Sequence, residues 1–171
     1  MKVAVVAVVG SKKSGKTTVM EALTRELTRR GHKIAAIKHI SEPDFTIDTA
    51  GKDTWRFAQA GAKTIVAVAS NEIATIEKTG TKQSLKELLV RCKGNDIVLL
   101  EGFKKLVAKN NKIRKIVTVK SAEEARKALE DFAHILAFSG FYAPTKLPKQ
   151  IPYVDALKNV ERLADIVEKA V

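Results

Sequence analysis

The chain has one cysteine, Cys92, so no intrachain disulfide can form, and this fits a reducing cytoplasm. Its three histidines are scattered, and with a lone cysteine they offer no zinc-ligand spacing. No apolar run approaches the ~20 residues needed to cross a bilayer as a helix. The apolar opening segment resembles the core of a signal peptide, but no small-residue cleavage site follows it. Neither internal repeats nor low-complexity linkers are visible. Acidic residues are scarce, 19 against 31 lysines and arginines, which leaves a formal net charge of +12. A pI near 9.8 favours acidic partners: nucleotides, nucleic acid or an acidic protein surface. With 171 residues and 45% hydrophobic content, a soluble single domain spanning 1–171 with a real core is expected.

What the chain does have begins at once. Val3 to Val9 is apolar and mostly β-branched, as a buried strand requires. Gly10-Ser11-Lys12-Lys13-Ser14-Gly15-Lys16-Thr17 follows and fits G-x-x-x-x-G-K-[ST], and an amphipathic stretch runs from Thr18 to Arg30. Strand, glycine-rich loop and helix in this order make a phosphate-binding loop. Its backbone N–H groups converge on an anion, and the positive end of the helix dipole points at the same place. Lys16 is expected to reach the β- and γ-phosphates of a nucleoside triphosphate, and the Thr17 hydroxyl to take a position on Mg²⁺. Thr18 continues the loop into the helix.

Further along, Gly31 marks a helix C-cap and His32 to Lys38 reads as a second strand. Gly51 to Gln59 reads as a short helix. Thr64 to Ala69 and Glu72 to Glu77 are β-rich runs separated by Ser70-Asn71, a hairpin adding antiparallel strands to the sheet. Gln83 to Arg91 is helical. Ile97 to Leu100 suits a strand buried on both faces, and Lys115 to Val119 and His134 to Phe138 are strand-like. Ser121 with Glu124 forms a capping box, Phe141 to Ile151 reads as loop, and Val160 to Val171 closes as a helix. Strands alternating with helices give an α/β fold in three layers, a mainly parallel, doubly wound sheet of P-loop NTPase type with an inserted antiparallel hairpin.

A triphosphate site needs a carboxylate near its metal. Ligands of parallel sheets sit at the carboxyl ends of strands, which selects Glu101 over Asp96 at the two ends of the buried run. A purely structural Glu101–lysine pair is the alternative. Lys38, at the end of the second strand, can touch phosphate. Asp44 and Asp48 can contact metal or orient an attacking water, or simply be solvated. Lys52 and Arg56, four apart on one helical face, can grip a phosphate or carboxylate together. Trp55 beside them reads as core packing. From Phe103 to Lys120 stand seven basic residues, Lys104, Lys105, Lys109, Lys112, Arg114, Lys115 and Lys120, with no acidic one. They read either as a solvated basic loop and edge strand or as a surface near the carboxyl edge of the sheet that receives an acidic partner.

The blocks taken together resemble a known family. They are the phosphate loop, Ile37-Lys38-His39, the run Asp48-Thr49-Ala50-Gly51-Lys52-Asp53-Thr54-Trp55-Arg56, Ala60-Gly61-Ala62 and Glu101-Gly102-Phe103-Lys104. This order is similar to the molybdopterin-guanine dinucleotide biosynthesis adapter (MobB) family, over nearly the whole chain. The resemblance implies a cytoplasmic homodimer that binds GTP with Mg²⁺ and hydrolyses it weakly. It implies action beside the molybdenum cofactor guanylyltransferase, which joins molybdopterin to GMP; molybdopterin itself is a further possible ligand. Carried over, Gly10 to Thr17 form the phosphate loop, Asp48, Lys52, Asp53 and Arg56 the second block, and Glu101 the acidic strand end. Ser41-Glu42-Pro43 stand where many relatives carry histidines, and Ser139-Gly140 where some carry Ser-Asp. No Asn-Lys-x-Asp signature is present, so guanine preference rests on the resemblance. The competing readings are a P-loop small-molecule kinase and a nucleic-acid-linked ATPase. No RNA- or DNA-binding signature supports specific nucleic-acid binding.

Overall fold

The computed structural model describes residues 3–141, 147 and 150–171. The chain groups into two compact units, Met1–His39 with Leu85–Val171, and Ile40–Ser84. Among the described residues the first unit holds five strands: β1 (Ala4–Gly10), β2 (Ile34–Lys38), β5 (Ile97–Glu101), β6 (Arg114–Thr118) and β7 (Ile135–Ser139). All run parallel, in the order β2-β5-β1-β6-β7. Its helices are α1 (Lys16–Arg29), α3 (Leu85–Val90), α4 (Lys104–Val107), α5 (Ala122–Asp131) and α6 (Val160–Glu168).

Because side chains alternate along a strand, β1 feeds two cores. Val6 and Val8 pack with Ile97, Leu99 and Ile116 beneath Leu23, Leu27, Leu163 and Val167 of α1 and α6. Ala7 and Val9 pack on the other face with Val98, Leu100 and Val117 beneath Val107, Ala125 and Phe132. This is the expected three-layer, doubly wound sheet. Burying a Leu such as Leu23 is worth about 1.5–3 kcal/mol, so the two cores hold β1 rigidly in the middle of the sheet. The outer edge of β7 is covered in turn: Phe138 N–H donates to Pro152 O at 2.8 Å, and Val154 N–H to Phe138 O at 2.9 Å.

The helix ends follow local chemistry. Gly31 adopts φ 95° after α1, with Gly31 N–H on Thr28 O and His32 N–H on Leu27 O, the paired bonds of a glycine-terminated helix. At α5, Ser121 Oγ accepts from Glu124 N–H at 3.2 Å, as the capping box requires. The reciprocal arm is displaced: Glu124 Oε2 accepts from Lys120 N–H, not from that of Ser121.

The second unit contains α2 (Asp53–Gln59) and the antiparallel pair β3 (Thr64–Val68) and β4 (Ile73–Glu77). The hairpin is where the sequence places it, but it forms a two-stranded sheet of its own and adds no strands to the parallel sheet. Trp55 is only half-buried, and α2 has no buried residue, so the expected core role of this tryptophan is not met. The strand containing Lys115 also departs from expectation. β6 lies between β1 and β7 and is no edge. Most of the loop expected over Phe141 to Ile151, residues 142–146 and 148–149, lies outside the described residues.

Candidate phosphate-binding site

The end of β1 and the start of α1 build the loop. Gly10 is dictated by space: a Cβ there would lie 2.1 Å from Thr118 Oγ1 and 2.5 Å from Thr118 O. Lys13 and Gly15 take left-handed backbone, φ 59° and 91°, the conformation from which anion-binding nests of N–H groups are built. Lys13 does this without glycine's freedom, a strained conformation of the kind found at ligand-binding loops. Lys12 and Lys13 are exposed, and Thr18 sits half-buried in the first turn of α1.

Side chains fasten the loop from beneath. Buried Ser14 Oγ lies 2.8 Å from Ser11 O and 2.6 Å from Thr118 Oγ1, which is 3.1 Å from Val9 O, so the two hydroxyl protons are shared among three contacts. Ser11 Oγ donates to Glu124 Oε1 at 3.0 Å, and Lys120 Nζ to Lys12 O at 3.4 Å. Thr118, Glu124 and Lys120 as loop supports were missed in the sequence. The signal for Thr118 was present: it ends a buried strand next to β1, the position already used to choose Glu101.

Lys16 folds back onto its own loop, Nζ donating to Ser11 O at 2.7 Å and to Gly10 O at 3.4 Å. Burial pulls its pKa below the ordinary amine value; Glu101 opposes this, and Lys38 and Lys120 add to it. A phosphate arriving at Lys16 therefore meets a cation that, among the described residues, is compensated by two carbonyls and one carboxylate.

That carboxylate is Glu101. It ends β5, pairs in register with Val8 and Lys38, and is only 8% exposed. Thr17 Oγ1 donates to Glu101 Oε1 at 3.1 Å and lies 3.3 Å from Oε2, while Lys38 Nζ is 3.4 Å from Oε1. Two residues in succession after it, Gly102 and Phe103, take left-handed backbone, φ 87° and 56°. This bend ends β5, and buried Phe103 packs edge-on against His39, ring centroids 5.2 Å apart. The predicted Gly10 to Thr18, Lys38 and Glu101 thus belong to one unit, and Thr17, Lys38 and Glu101 converge. A groove of about 460 Å³ opens from them along α1 and β2, lined by Met20, Thr24, Arg25 and Ile37.

Asp48, Lys52 and Arg56 belong to the second unit. Asp48 Oδ1 accepts from Thr54 Oγ1 at 2.8 Å and from Thr49 N–H at 2.9 Å, fastening the turn before α2. Lys52 is the N-cap of α2 and exposed; Arg56, also exposed, lies 3.6 Å from Asp53.

The basic stretch does not form one surface at the carboxyl edge. Lys115 is fully buried, Nζ donating to Asn110 O at 2.6 Å, and burial lowers its pKa, with Arg114 adding to the shift. Arg114 opens β6 opposite Val6, four residues below the loop end at Gly10, and donates to His134 Nδ1. Lys109 Nζ donates to Glu130 O and Lys104 pairs with Asp131 at 2.9 Å. Lys109, Lys112 and Arg114 lie toward the amino end of β6, away from the phosphate loop, because the chain must return there to start a parallel strand.

Among the described residues, no helix is long and apolar enough to cross a membrane. In comparison with known proteins, the model of the family MobB, molybdopterin guanine dinucleotide synthesis protein B, matches residues 5–139. A protein of Methanocaldococcus jannaschii is 37% identical over 120 residues, 70% of this chain and 48% of its own length. The molybdopterin-guanine dinucleotide biosynthesis adapter protein of Haemophilus influenzae is 33% identical over 60% of this chain and 58% of its own. The chain thus spans about half the length of these relatives. A crystal structure of molybdopterin-guanine biosynthesis protein B superposes with a TM-score of 0.74 at 24% identity, covering 98% of this chain and 99% of that one. Bacillus subtilis MobB gives a TM-score of 0.71 at 20% identity over 96% and 95%, so both share the fold. With its phosphate loop, its acidic strand end and a match across most of its length, this chain belongs to the MobB family.

Proposed function

We propose that this chain is a GTP-binding adapter with weak GTPase activity, acting in the cytoplasm where GMP is attached to molybdopterin to form the guanine dinucleotide molybdenum cofactor. The observation that carries the reading is the convergence of Thr17, Lys38 and Glu101 beside a phosphate loop in a member of this family. The donors suit Mg²⁺: a hydroxyl and one carboxylate are hard oxygens, and Mg²⁺ at triphosphate sites typically takes one or two carboxylates plus phosphate oxygens and waters. Thr17 and Glu101 would hold it, and the ion would neutralise charge on the β- and γ-oxygens. Lys16 would leave its two carbonyls for the phosphates, and the N–H groups around Lys13 to Lys16 would cradle them. Asp48 as a metal or water-orienting residue, and Lys52 and Arg56 as anion contacts, rest on the family pattern alone.

The partners in this reading are the guanylyltransferase, GTP and, as a further ligand, molybdopterin. A homodimer is part of it. Val66, Val68 and Ile73 are exposed on β3 and β4, an apolar patch of the kind that marks a protein contact. The groove along α1 favours one other reading, a small-molecule kinase with its acceptor beside Glu101. Mass spectrometry of ligand co-purified with the native protein tests both. Guanine nucleotide, with or without pterin, supports the adapter. Adenine nucleotide with phosphate transfer to an acceptor would replace it with the kinase.

A further inference from the structure

Phe141 is 65% exposed and follows β7 directly, yet it lies against the phosphate loop: a Cβ on Gly15 would lie 3.0 Å from Phe141 Cε2 and 3.3 Å from Cδ2 and Cζ. The two residues before it, Ser139 and Gly140, are fixed on several sides. Tyr153 Oη donates to Gly140 O at 2.8 Å, Ser139 Oγ to Val154 O at 2.6 Å, and Val119 N–H to Ser139 O at 2.9 Å. Gly140 admits no side chain, since a Cβ there would lie 2.8 Å from Val119 O and 3.2 Å from Ser14 O. An apolar ring is thus carried into solvent one residue after an anchored glycine, over the residue that caps α1.

The rest of the site sets the direction of a bound triphosphate. Thr17 and Glu101 mark the metal end on the β5 side of β1, whereas β6 and β7 lie on the other side. A nucleotide whose β- and γ-phosphates meet Lys16 and Thr17 must leave the loop away from β5, where Phe141 stands. We infer that Phe141 is a stacking platform for the nucleobase, a binding residue for the nucleoside half of the ligand. The inference rests on the phosphate-loop reading above. Stacking uses the π-face that every base shares, so this contact adds affinity without choosing guanine over adenine. Anchoring the backbone at Gly140 removes part of the ordering cost of binding.

The test is calorimetry with Mg²⁺ and three probes: nonhydrolysable GTP and ATP analogues and inorganic tripolyphosphate. Phe141→Ala should weaken both nucleotides, each by roughly fivefold to a hundredfold, the range of base–aromatic stacking, and leave tripolyphosphate unchanged. Phe141→Tyr should retain wild-type affinity for all three. The ring is mostly solvent-exposed, so the alanine variant empties no core site. Equal loss for tripolyphosphate would make Phe141 a support of the loop and overturn the inference, as would unchanged nucleotide affinity. If the wild type binds tripolyphosphate as tightly as nucleotides, the phosphate-loop reading stands and this one falls. If it binds none of the three, both fall.

Discussion

Thr17 and Glu101 stand 84 positions apart in the chain and share a hydrogen bond, Oγ1 to Oε1 at 3.1 Å. The contact joins the first turn of α1 to the end of β5, with Lys38 Nζ 3.4 Å from the same carboxylate oxygen. Glu101→Gln removes the charge and keeps the shape. It should impair Mg²⁺-dependent GTP hydrolysis and Mg²⁺-dependent affinity more than metal-free nucleotide binding. Equal loss with and without Mg²⁺, in titrations of the purified variant, would assign Glu101 a structural role instead.

Gly10→Ala should destabilise the protein. The new methyl would meet the Thr118 carbonyl, which belongs to an interior strand and cannot swing aside as a side chain can. Forced methyl groups in packed sites cost about 1–3 kcal/mol. At about 2–4 °C per kcal/mol for a chain of this size, thermal melting should fall by roughly 2–12 °C. A melting temperature equal to wild type would show that β1 and β6 can separate locally.

Acid should loosen the packing of α1 against α6. Glu26 is buried and accepts from Arg29 Nε and Nη2 and from Arg30 Nε, each at 2.8 Å, which holds its carboxyl at about 2. Arg30 also reaches Asp165 and Glu168 of α6, and Glu168 is lowered by His32 and Arg30. A carboxyl depressed in the folded state stabilises it above the unfolded value near 4.5 and loses that contribution as pH falls toward 2. Denaturation midpoints should therefore drop over this window in the wild type, and Glu26→Gln should flatten the drop. Parallel curves for the two proteins would remove Glu26 from acid sensitivity.

Much of the site was legible because it is local. Gly10 to Thr17 is a contiguous motif whose conformation is set by its own glycines and by the helix that follows. That Glu101 ends its strand beside Thr17 follows from a rule about strand ends that needs only the direction of the chain. The supports were illegible for the opposite reason. Thr118 and Ser14 are 104 residues apart, and their contact exists only because β6 pairs with β1. Lys115 shows the same limit. A run of basic residues reads as a charged surface, but β6 lies between two strands, so Lys115 is buried while Arg114 faces the amino end. The hairpin followed from two β-rich runs and the length of the gap between them, whereas its separation from the parallel sheet depends on pairing that no local pattern encodes.

The most direct measurement of the central claim is calorimetric titration of a nonhydrolysable GTP analogue with Mg²⁺ into the wild type and Lys16→Ala. Lys16 Nζ sits on the carbonyls of Ser11 and Gly10 and is the cation placed to transfer to phosphate. The wild type should bind, and the variant, folded by circular dichroism, should lose about 1.5–3 kcal/mol, roughly tenfold to a hundredfold in affinity. Equal affinity in the two folded proteins would contradict the account, because the loop would then not be where the triphosphate binds.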